Sequence, residues 1–208
     1  MEDILDVYQR SYTSHQPLVC LDESSKQHMV ETRQEIKAKP GQPMRYDYEY
    51  ERNGVSNLFM IFAPIDGWRH VKVTDRRTKG DWAHCIEDIL TVHFPKAAKV
   101  TIVQDNLNTH HPASLYEVFA PEKAKALLQR CEFHYTPKHG SWLNMAEIEF
   151  SALQRQCLDQ RIPDQETLKA HLAEWEAYRN QVNTTVHWRF TTADARIRLR
   201  RLYPSIKS

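Results

Sequence analysis

The sequence is short of cysteine, of long apolar stretches and of net charge, and each shortage argues against a class of protein. Its 208 residues contain four cysteines, which lie far apart and show no C-x-x-C spacing. This usage is typical of reduced thiols inside a cell rather than of a disulfide framework. No apolar run approaches the roughly 18 residues of a membrane span, and the first residues lack the charged-then-apolar pattern of a targeting peptide. We therefore expect a cytoplasmic globular protein without a membrane partner.

The net charge is only +1, but it is unevenly distributed. Residues 187–208 contain six lysines and arginines against one acid, about +5, which leaves about −4 on the remainder. Such a basic end is typical of a segment that follows a phosphate backbone, beside an acidic body whose carboxylates hold metal. An exposed face of a terminal helix would show the same charge pattern, so both interpretations stay open.

The length fits one main domain, and the chain shows no internal repeat. We predict an N-terminal arm over residues 1–17, a catalytic-type domain over residues 18–186 and a basic C-terminal tail or helix over residues 187–208. Within the main domain, β-prone runs at 55–63 and 68–73 flank a Pro/Asp/Gly turn, which predicts a hairpin.

The other predicted elements follow from apolar periodicity and from proline positions. Strands are predicted at residues 18–22, 46–50, 100–105 and 132–135. Helices are predicted at residues 78–94, 112–130 with a break at Pro121, 144–158, 165–182 and 192–202. An antiparallel meander followed by αβαβα predicts an α/β fold with a mixed sheet flanked by helices.

Three carboxylates occupy the ends of predicted elements. Asp22 and Asp105 end two apolar runs, and Glu147 follows on a helical pattern. Because α/β folds build their sites at strand exits, we expect the three to converge, where they would repel one another unless divalent cations lie between them. This favours two-metal phosphoryl chemistry on a nucleic acid. Each residue alone also has a structural interpretation: a turn for Asp22, an Asx-type turn for Asp105 and a capping box with Asn144 for Glu147.

Two neighbouring acids compete for these roles. Glu23 follows Asp22 directly, and Glu149 lies two residues after Glu147, about 200° around a helix. Only one of the two glutamates on the helix can face the ends of the sheet, and helical geometry alone does not decide which. The histidines also invite a zinc interpretation, but His110, His111, His134 and His139 lack the paired spacing of a structural zinc site.

Four segments have distinctive sequences. They are VCLDE at 19–23, QDNLNTH at 104–110, TPKHGSWLNMAE at 136–147, and WRFTTADAR at 188–196 followed by LYP at 202–204. In these segments the chain resembles the DDE transposases of the mariner superfamily, specifically the bacterial insertion-sequence branch known as IS-630. The resemblance covers nearly the whole chain, and its Leu-Asn-x-x-Glu pattern selects Glu147 over Glu149.

The resemblance implies a ribonuclease-H-like fold and a DNA transposase catalytic domain. Asp22, Asp105 and Glu147 would be the catalytic residues and would hold two Mg²⁺ or Mn²⁺ ions. One ion would activate water or a DNA 3′-hydroxyl, and the other would stabilise the leaving oxygen. Further residues are candidates to orient the site or to contact DNA. These are Asn106, Asn108, Thr109, His110, Lys138, His139, Trp142, Arg196, Arg198, Arg200 and Arg201.

The resemblance also implies partners. The expected partner is double-stranded DNA, as transposon ends and as a target cut at TA, with a homodimer as the acting form, no small-molecule substrate and association with a bacterial nucleoid. Family members carry an N-terminal helix-turn-helix region, and the 17 residues before the first predicted strand are too few for one. Two alternatives therefore remain: a non-catalytic remnant that binds DNA or full-length transposase, and a ribonuclease or resolvase on the same fold.

Overall fold

A five-stranded mixed sheet forms the centre of the molecule, in the order β3-β2-β1-β4-β5. The computed structural model describes residues 1–32, 39–42 and 49–203. Its strands are β1 Leu18–Glu31, β2 Tyr50–Ala63, β3 Trp68–Thr74, β4 Val100–Gln104 and β5 Cys131–Tyr135. Its α-helices are α1 Glu2–Tyr8, α2 Lys79–Asp88, α3 Ser114–Val118, α4 Pro121–Gln129, α5 Met145–Leu153, α6 Gln165–Val182 and α7 Thr192–Arg198.

The sheet has an antiparallel half and a parallel half. Strands β1, β2 and β3 pair antiparallel as a meander, whereas β4 pairs parallel to both β1 and β5. The parallel strands require crossovers, and helices supply them. The predicted meander followed by αβαβα, and with it the mixed α/β fold class, is confirmed.

The predicted exit of the first strand is wrong. Strand β1 does not end at Asp22 but continues to Glu31, paired with β2 from Cys20 onwards with one register shift between Gln27 and Met29. Only Leu18 to Cys20 pair with β4, so Asp22 lies just beyond the end of the parallel part of the sheet. The extension is polar and has no continuous apolar face, which is why the apolar pattern stopped at Leu21.

Two apolar clusters cover the two faces of the sheet. Because side chains alternate along a strand, Leu18 and Cys20 of β1 enter one cluster and Val19 and Leu21 enter the other. The first cluster contains residues of α1, α5 and α6. The second contains residues of α2, α3 and α4. The side chains of β1 are thereby divided between two separate environments.

Both ends of the described chain pack on this central unit. Residues 1–17, predicted as an arm, include the helix α1, whose Ile4 and Leu5 are fully buried in the first cluster. From the C-terminal segment, Trp188 and Phe190 pack against the same cluster. The division at residues 17 and 186 stays a proposal about function, because structurally the described parts of both ends contribute to one core.

The remaining local predictions agree with the structure to within a few residues. The hairpin is formed by β2 and β3, and Pro121 begins α4 after a break. Helices α2 and α5 each continue into a π-turn, at Ile89–His93 and Gln154–Leu158. Of the strand predicted at 46–50, residues 46–48 lie outside the described residues, and Tyr50 begins β2. Among the described helices, none combines the length and apolar character needed to cross a membrane.

Candidate carboxylate site

The three predicted carboxylates come from three neighbouring elements. Asp22 follows the β1 residues that pair with β4, and Asp105 follows the last residue of β4. Because β1 and β4 are parallel, both aspartates lie at the same edge of the sheet. Glu147 lies in the first turn of α5, which contacts β1. The structure therefore brings the three residues to one region, although they are far apart in sequence.

The start of α5 is tied to β1 next to Asp22. The buried Asn144 donates from Nδ2 to the carbonyl oxygen of Leu21 at 2.9 Å, and its Oδ1 accepts from the amide of Ala146. The amide of Glu147 donates to the backbone carbonyl of Asn144 at 3.1 Å. Asn144 is thus an N-cap, but its side chain does not bond the amide of Glu147 as a capping box requires.

The two glutamates of α5 have opposite surroundings. The Glu149 side chain is 1% exposed and accepts from Arg179 at 3.0 and 2.9 Å, with Arg69 Nε 3.0 Å from Oε1. Glu147 is half-buried on the other side of the helix. Two guanidinium groups therefore already occupy Glu149, and the tertiary structure favours Glu147 as the acid directed to the sheet edge.

Asp22 is held in an unfavourable setting for a charge. Burial raises the pKa of this carboxyl, and the charges of Asp105, Glu147 and Glu23 raise it further, to about 7. The amide of Glu23, which donates to Asp22 Oδ1 at 2.8 Å, acts in the opposite direction. Asp105 and Glu147 thus act on Asp22 as neighbouring negative charges, after the larger effect of burial.

Asp105 and Glu23 share a histidine. His110 Nδ1 lies 2.5 Å from Asp105 Oδ1, and its Nε2 lies 3.3 Å from Glu23 Oε2. Burial alone would lower the pKa of His110, but the contacts with the two carboxylates outweigh it and raise that pKa to about 9. Arg77 adds a second cation, 3.6 Å from Glu23. Glu23 therefore has two positively charged neighbours, Arg77 and His110, whereas the charges that act on Asp22 are negative.

Two residues that sequence reasoning did not identify fix this histidine. Trp82 of α2 stacks on the His110 ring with centroids 6.0 Å apart, and its Nε1 donates to Gln104 Oε1 at 2.9 Å. Gln104 in turn donates from Nε2 to the His110 carbonyl. Both side chains are fully buried. The one local signal was a glutamine at the end of an apolar strand, because a buried amide there needs partners.

The donor set suits a divalent cation in kind. Three carboxylates are hard oxygen donors, and because Asp105 Oδ1 contacts His110 Nδ1 at 2.5 Å, the other oxygen of Asp105 is the one left for a cation. Across residues 1–32, 39–42 and 49–203, however, no three His, Cys, Asp or Glu residues stand close enough to enclose an ion together. The side chains would therefore have to rotate towards one another around a bound metal.

The other predicted contact residues surround this edge or lie in the tail. Asn106 and Asn108 are exposed, and so are Lys138 and His139 of the loop before α5. Trp142 is 40% exposed and stacks on Trp188, with centroids 6.4 Å apart. Four arginines belong to the C-terminal segment and are all exposed: Arg196, Arg198, Arg200 and Arg201.

Arg196 differs from the other three arginines because it is paired. Its Nε and Nη2 groups donate to the two carboxylate oxygens of Glu2 at 2.8 and 2.9 Å. The side chain of Thr192 in the same helix donates to Asp6 at 2.6 Å. Arg196 therefore joins α7 to α1, and its assignment to DNA contact would require this ion pair to open.

The sequence matches one family model. The model described as DDE superfamily endonuclease matches residues 17–169, which include all three predicted carboxylates. A comparison with curated proteins found no match.

Solved structures of the Mos1 transposase are similar in fold. The strand transfer complex aligns with a TM-score of 0.59 at 18% identity, over 85% of this chain and 51% of the Mos1 chain. The paired-end complex with the left transposon end aligns with a TM-score of 0.60 at 17% identity, over 88% and 55%. The Mos1 mariner paired-end complex with Mn aligns with a TM-score of 0.57 at 18% identity, over 88% and 55%. The chain thus spans about half the length of these Mos1 chains.

Proposed function

The chain belongs to the DDE superfamily endonuclease family, and on that premise we propose that it is the catalytic domain of a DNA transposase of the mariner type. Its proposed reaction is metal-dependent cleavage of transposon ends followed by transfer of the freed strand into target DNA. The fold likeness to Mos1 supports this assignment, since the Mos1 structures are complexes with transposon ends or of strand transfer.

The observation that carries the proposal is the excess of negative charge at the sheet edge. The pKa of Asp22 is raised to about 7 by burial and by the charges of Asp105 and Glu147. Carboxylates that oppose one another cost stability unless a cation binds, and this supports a metal-binding role for the three residues. Perturbed acids at a strand exit are typical of a functional site.

Each residue has a proposed role. Asp22, Asp105 and Glu147 would hold two Mg²⁺ or Mn²⁺ ions, which when bound would activate the attacking hydroxyl and stabilise the leaving oxygen. His110, which contacts Asp105 Oδ1, would orient this carboxylate, as partners of metal-binding carboxylates do. Lys138, His139 and Trp142 would contact DNA beside the site.

The finer details of function also belong to this proposal. By family likeness we propose double-stranded DNA as transposon end and as target, TA as the target dinucleotide, and a homodimer that pairs two ends. We likewise propose a bacterial insertion sequence as the source element, and action in the cytoplasm at the nucleoid. The arginines of the C-terminal segment are the proposed contacts to the DNA backbone.

The first test combines metal-linked stability with DNA cleavage. We expect Mn²⁺ to stabilise the wild type by about 2.7 kcal/mol at 100 times its Kd and to support nicking of supercoiled plasmid. Asp105→Asn removes one ligand charge and should lose both effects. Thermal unfolding in a Mn²⁺ series, without and with duplex DNA, is the measurement.

Asp88→Asn is the matched control, because Asp88 lies in α2 and pairs with Lys72 rather than with the site. It should keep the metal response and the nicking of the wild type. If the wild type shows no Mn²⁺ response even with DNA present, the catalytic proposal fails. The non-catalytic alternative, a remnant that binds DNA or full-length transposase, would then be favoured.

A further inference from the structure

Three charged side chains form a cluster beneath α5, on the side away from the carboxylate site. They are Glu149 of α5, Arg69 of β3 and Arg179 of α6, with side chains 1%, 0% and 14% exposed. We propose that this cluster, the Glu149 cluster, sets the rotation of α5 about its axis and so positions Glu147 for metal. The inference rests on the proposed function of Glu147.

The carboxylate of Glu149 is held at both oxygens. Arg179 donates from Nε to Oε1 at 3.0 Å and from Nη2 to Oε2 at 2.9 Å. Arg69 adds an ionic contact of 3.0 Å from its Nε to Oε1. A two-point guanidinium contact fixes direction as well as distance, so the side chain cannot swing without losing a partner for a buried charge.

The Arg69 side chain is itself anchored by backbone groups. It donates to the carbonyl oxygens of Gly67 at 2.8 Å, Arg179 at 2.8 Å and Thr184 at 2.7 Å. The Asn180 side chain bonds both the amide and the carbonyl of Arg69 at 2.9 Å. The end of α6 is thereby joined to the outer strand β3, which gives Glu149 a rigid frame to bind.

Helix geometry transmits this anchoring to Glu147. Each residue advances 100° around a helix, so Glu147 lies about 200° from Glu149. Anchoring Glu149 below the helix therefore turns Glu147 towards the sheet edge. Asn144 fixes the start of the same helix through Leu21, and apolar side chains of α5 pack in the first cluster. The Glu149 cluster adds an anchor of fixed direction on the side opposite Glu147.

The test uses Arg179→Gln, because Glu149 then keeps Arg69 and the fold keeps one ion pair. We expect the Kd for Mn²⁺, measured by electron paramagnetic resonance of free Mn²⁺, to rise by about 10-fold or more, as for lost outer partners of metal ligands. Amide hydrogen exchange across α5 should accelerate in the metal-free protein. Arg179→Lys, which keeps the charge but not the two-point contact, should lie between wild type and Arg179→Gln in both measurements.

Arg161→Gln is the matched control, since Arg161 pairs with Glu31 at 2.6 Å at the far end of β1. It should leave the Kd for Mn²⁺ and the exchange of α5 at wild-type values, even if it lowers the melting temperature as much as Arg179→Gln does. An unchanged Kd for Mn²⁺ in Arg179→Gln would overturn the positioning role, whatever the exchange of α5 shows. If Arg179→Gln does not fold, Arg179→Lys is judged against the same control.

The two proposals fail in different ways. A wild type that binds no Mn²⁺ with or without DNA contradicts the proposed function. In that case the exchange of α5 still decides whether the cluster fixes the helix. If the wild type binds Mn²⁺ and Arg179→Gln binds it equally tightly, only the positioning role is contradicted.

Discussion

Two regions of charge on opposite sides of α5 are built in opposite ways. On one side, Glu149 lies between two guanidinium groups with both oxygens bonded. On the other, Asp22 lies among like charges that raise its pKa to about 7. In the first arrangement each buried charge has a partner, so the loss of any one partner would destabilise the fold. The second is costly at a pH above the pKa of Asp22, and a bound divalent cation would relieve it. The availability of partners, rather than residue type, distinguishes the structural carboxylate from the candidate catalytic one.

The largest expected effect on stability comes from substituting the two glutamates of α5. Glu149→Ala leaves two buried guanidiniums without their carboxylate and should lower the free energy of unfolding by about 3–5 kcal/mol. Glu147→Gln removes a charge from a repulsive setting and should leave that free energy unchanged or slightly raised, while abolishing the Mn²⁺ response. Urea unfolding of the metal-free proteins is the measurement. Equal destabilisation by both substitutions would contradict the distinction between the two glutamates.

The pH dependence sharpens the comparison at the site. The folded state raises the pKa of Asp22 to about 7, so its contribution to stability falls as the pH rises from about 4 to 7. It raises the pKa of His110 to about 9, so that contribution is complete below pH 6.5 and is lost as the pH rises towards 9. We therefore expect the combined contribution of these two groups to fall from pH 5 to pH 9, whereas His93, whose pKa burial lowers to about 4, contributes in the opposite direction below pH 6.5.

Two variants separate these intervals in urea unfolding with a chelator present. Asp22→Asn should flatten the dependence below pH 7 only. His110→Gln should flatten it above pH 7 and cost about 1–3 kcal/mol at pH 6.5, because buried carboxylates lose a charged partner. An Asp22→Asn variant with the same pH dependence as the wild type between pH 4 and pH 7 would contradict a raised pKa of Asp22.

The smallest expected effect concerns DNA binding by the C-terminal segment, where one arginine is paired with an acid and three others are exposed. Replacing Arg198, Arg200 and Arg201 together by Gln should reduce the slope of log affinity against log salt for duplex DNA, by about 0.9 for each arginine that contacts a phosphate. Arg196→Gln should change the slope less, because Glu2 already occupies that guanidinium. Fluorescence anisotropy across a salt series measures both, and an unchanged slope in the triple variant would remove the segment from the DNA interface.

Prediction from sequence was most accurate where structure is local. The hairpin of β2 and β3, the break before Pro121 and the bounds of α6 follow from turn residues, proline and period, and the structure agrees with each. Prediction was less accurate where an element lacks an apolar pattern. The polar half of β1 is held by backbone pairing with β2, and the seven residues of α1 are too few to show a helical stripe.

The sequence by itself determined the order of elements, the fold class and the names of the candidate acids, because period and turn chemistry act over a few residues. Residue spacing left the choice between Glu147 and Glu149 open, and the family resemblance selected Glu147, but neither indicated that Glu149 and Arg69 are buried together. Those outcomes depend on partners from β3 and α6 that only folding brings to α5. The tertiary structure decided them because a buried charge is stable only where a distant part of the chain supplies its counter-charge.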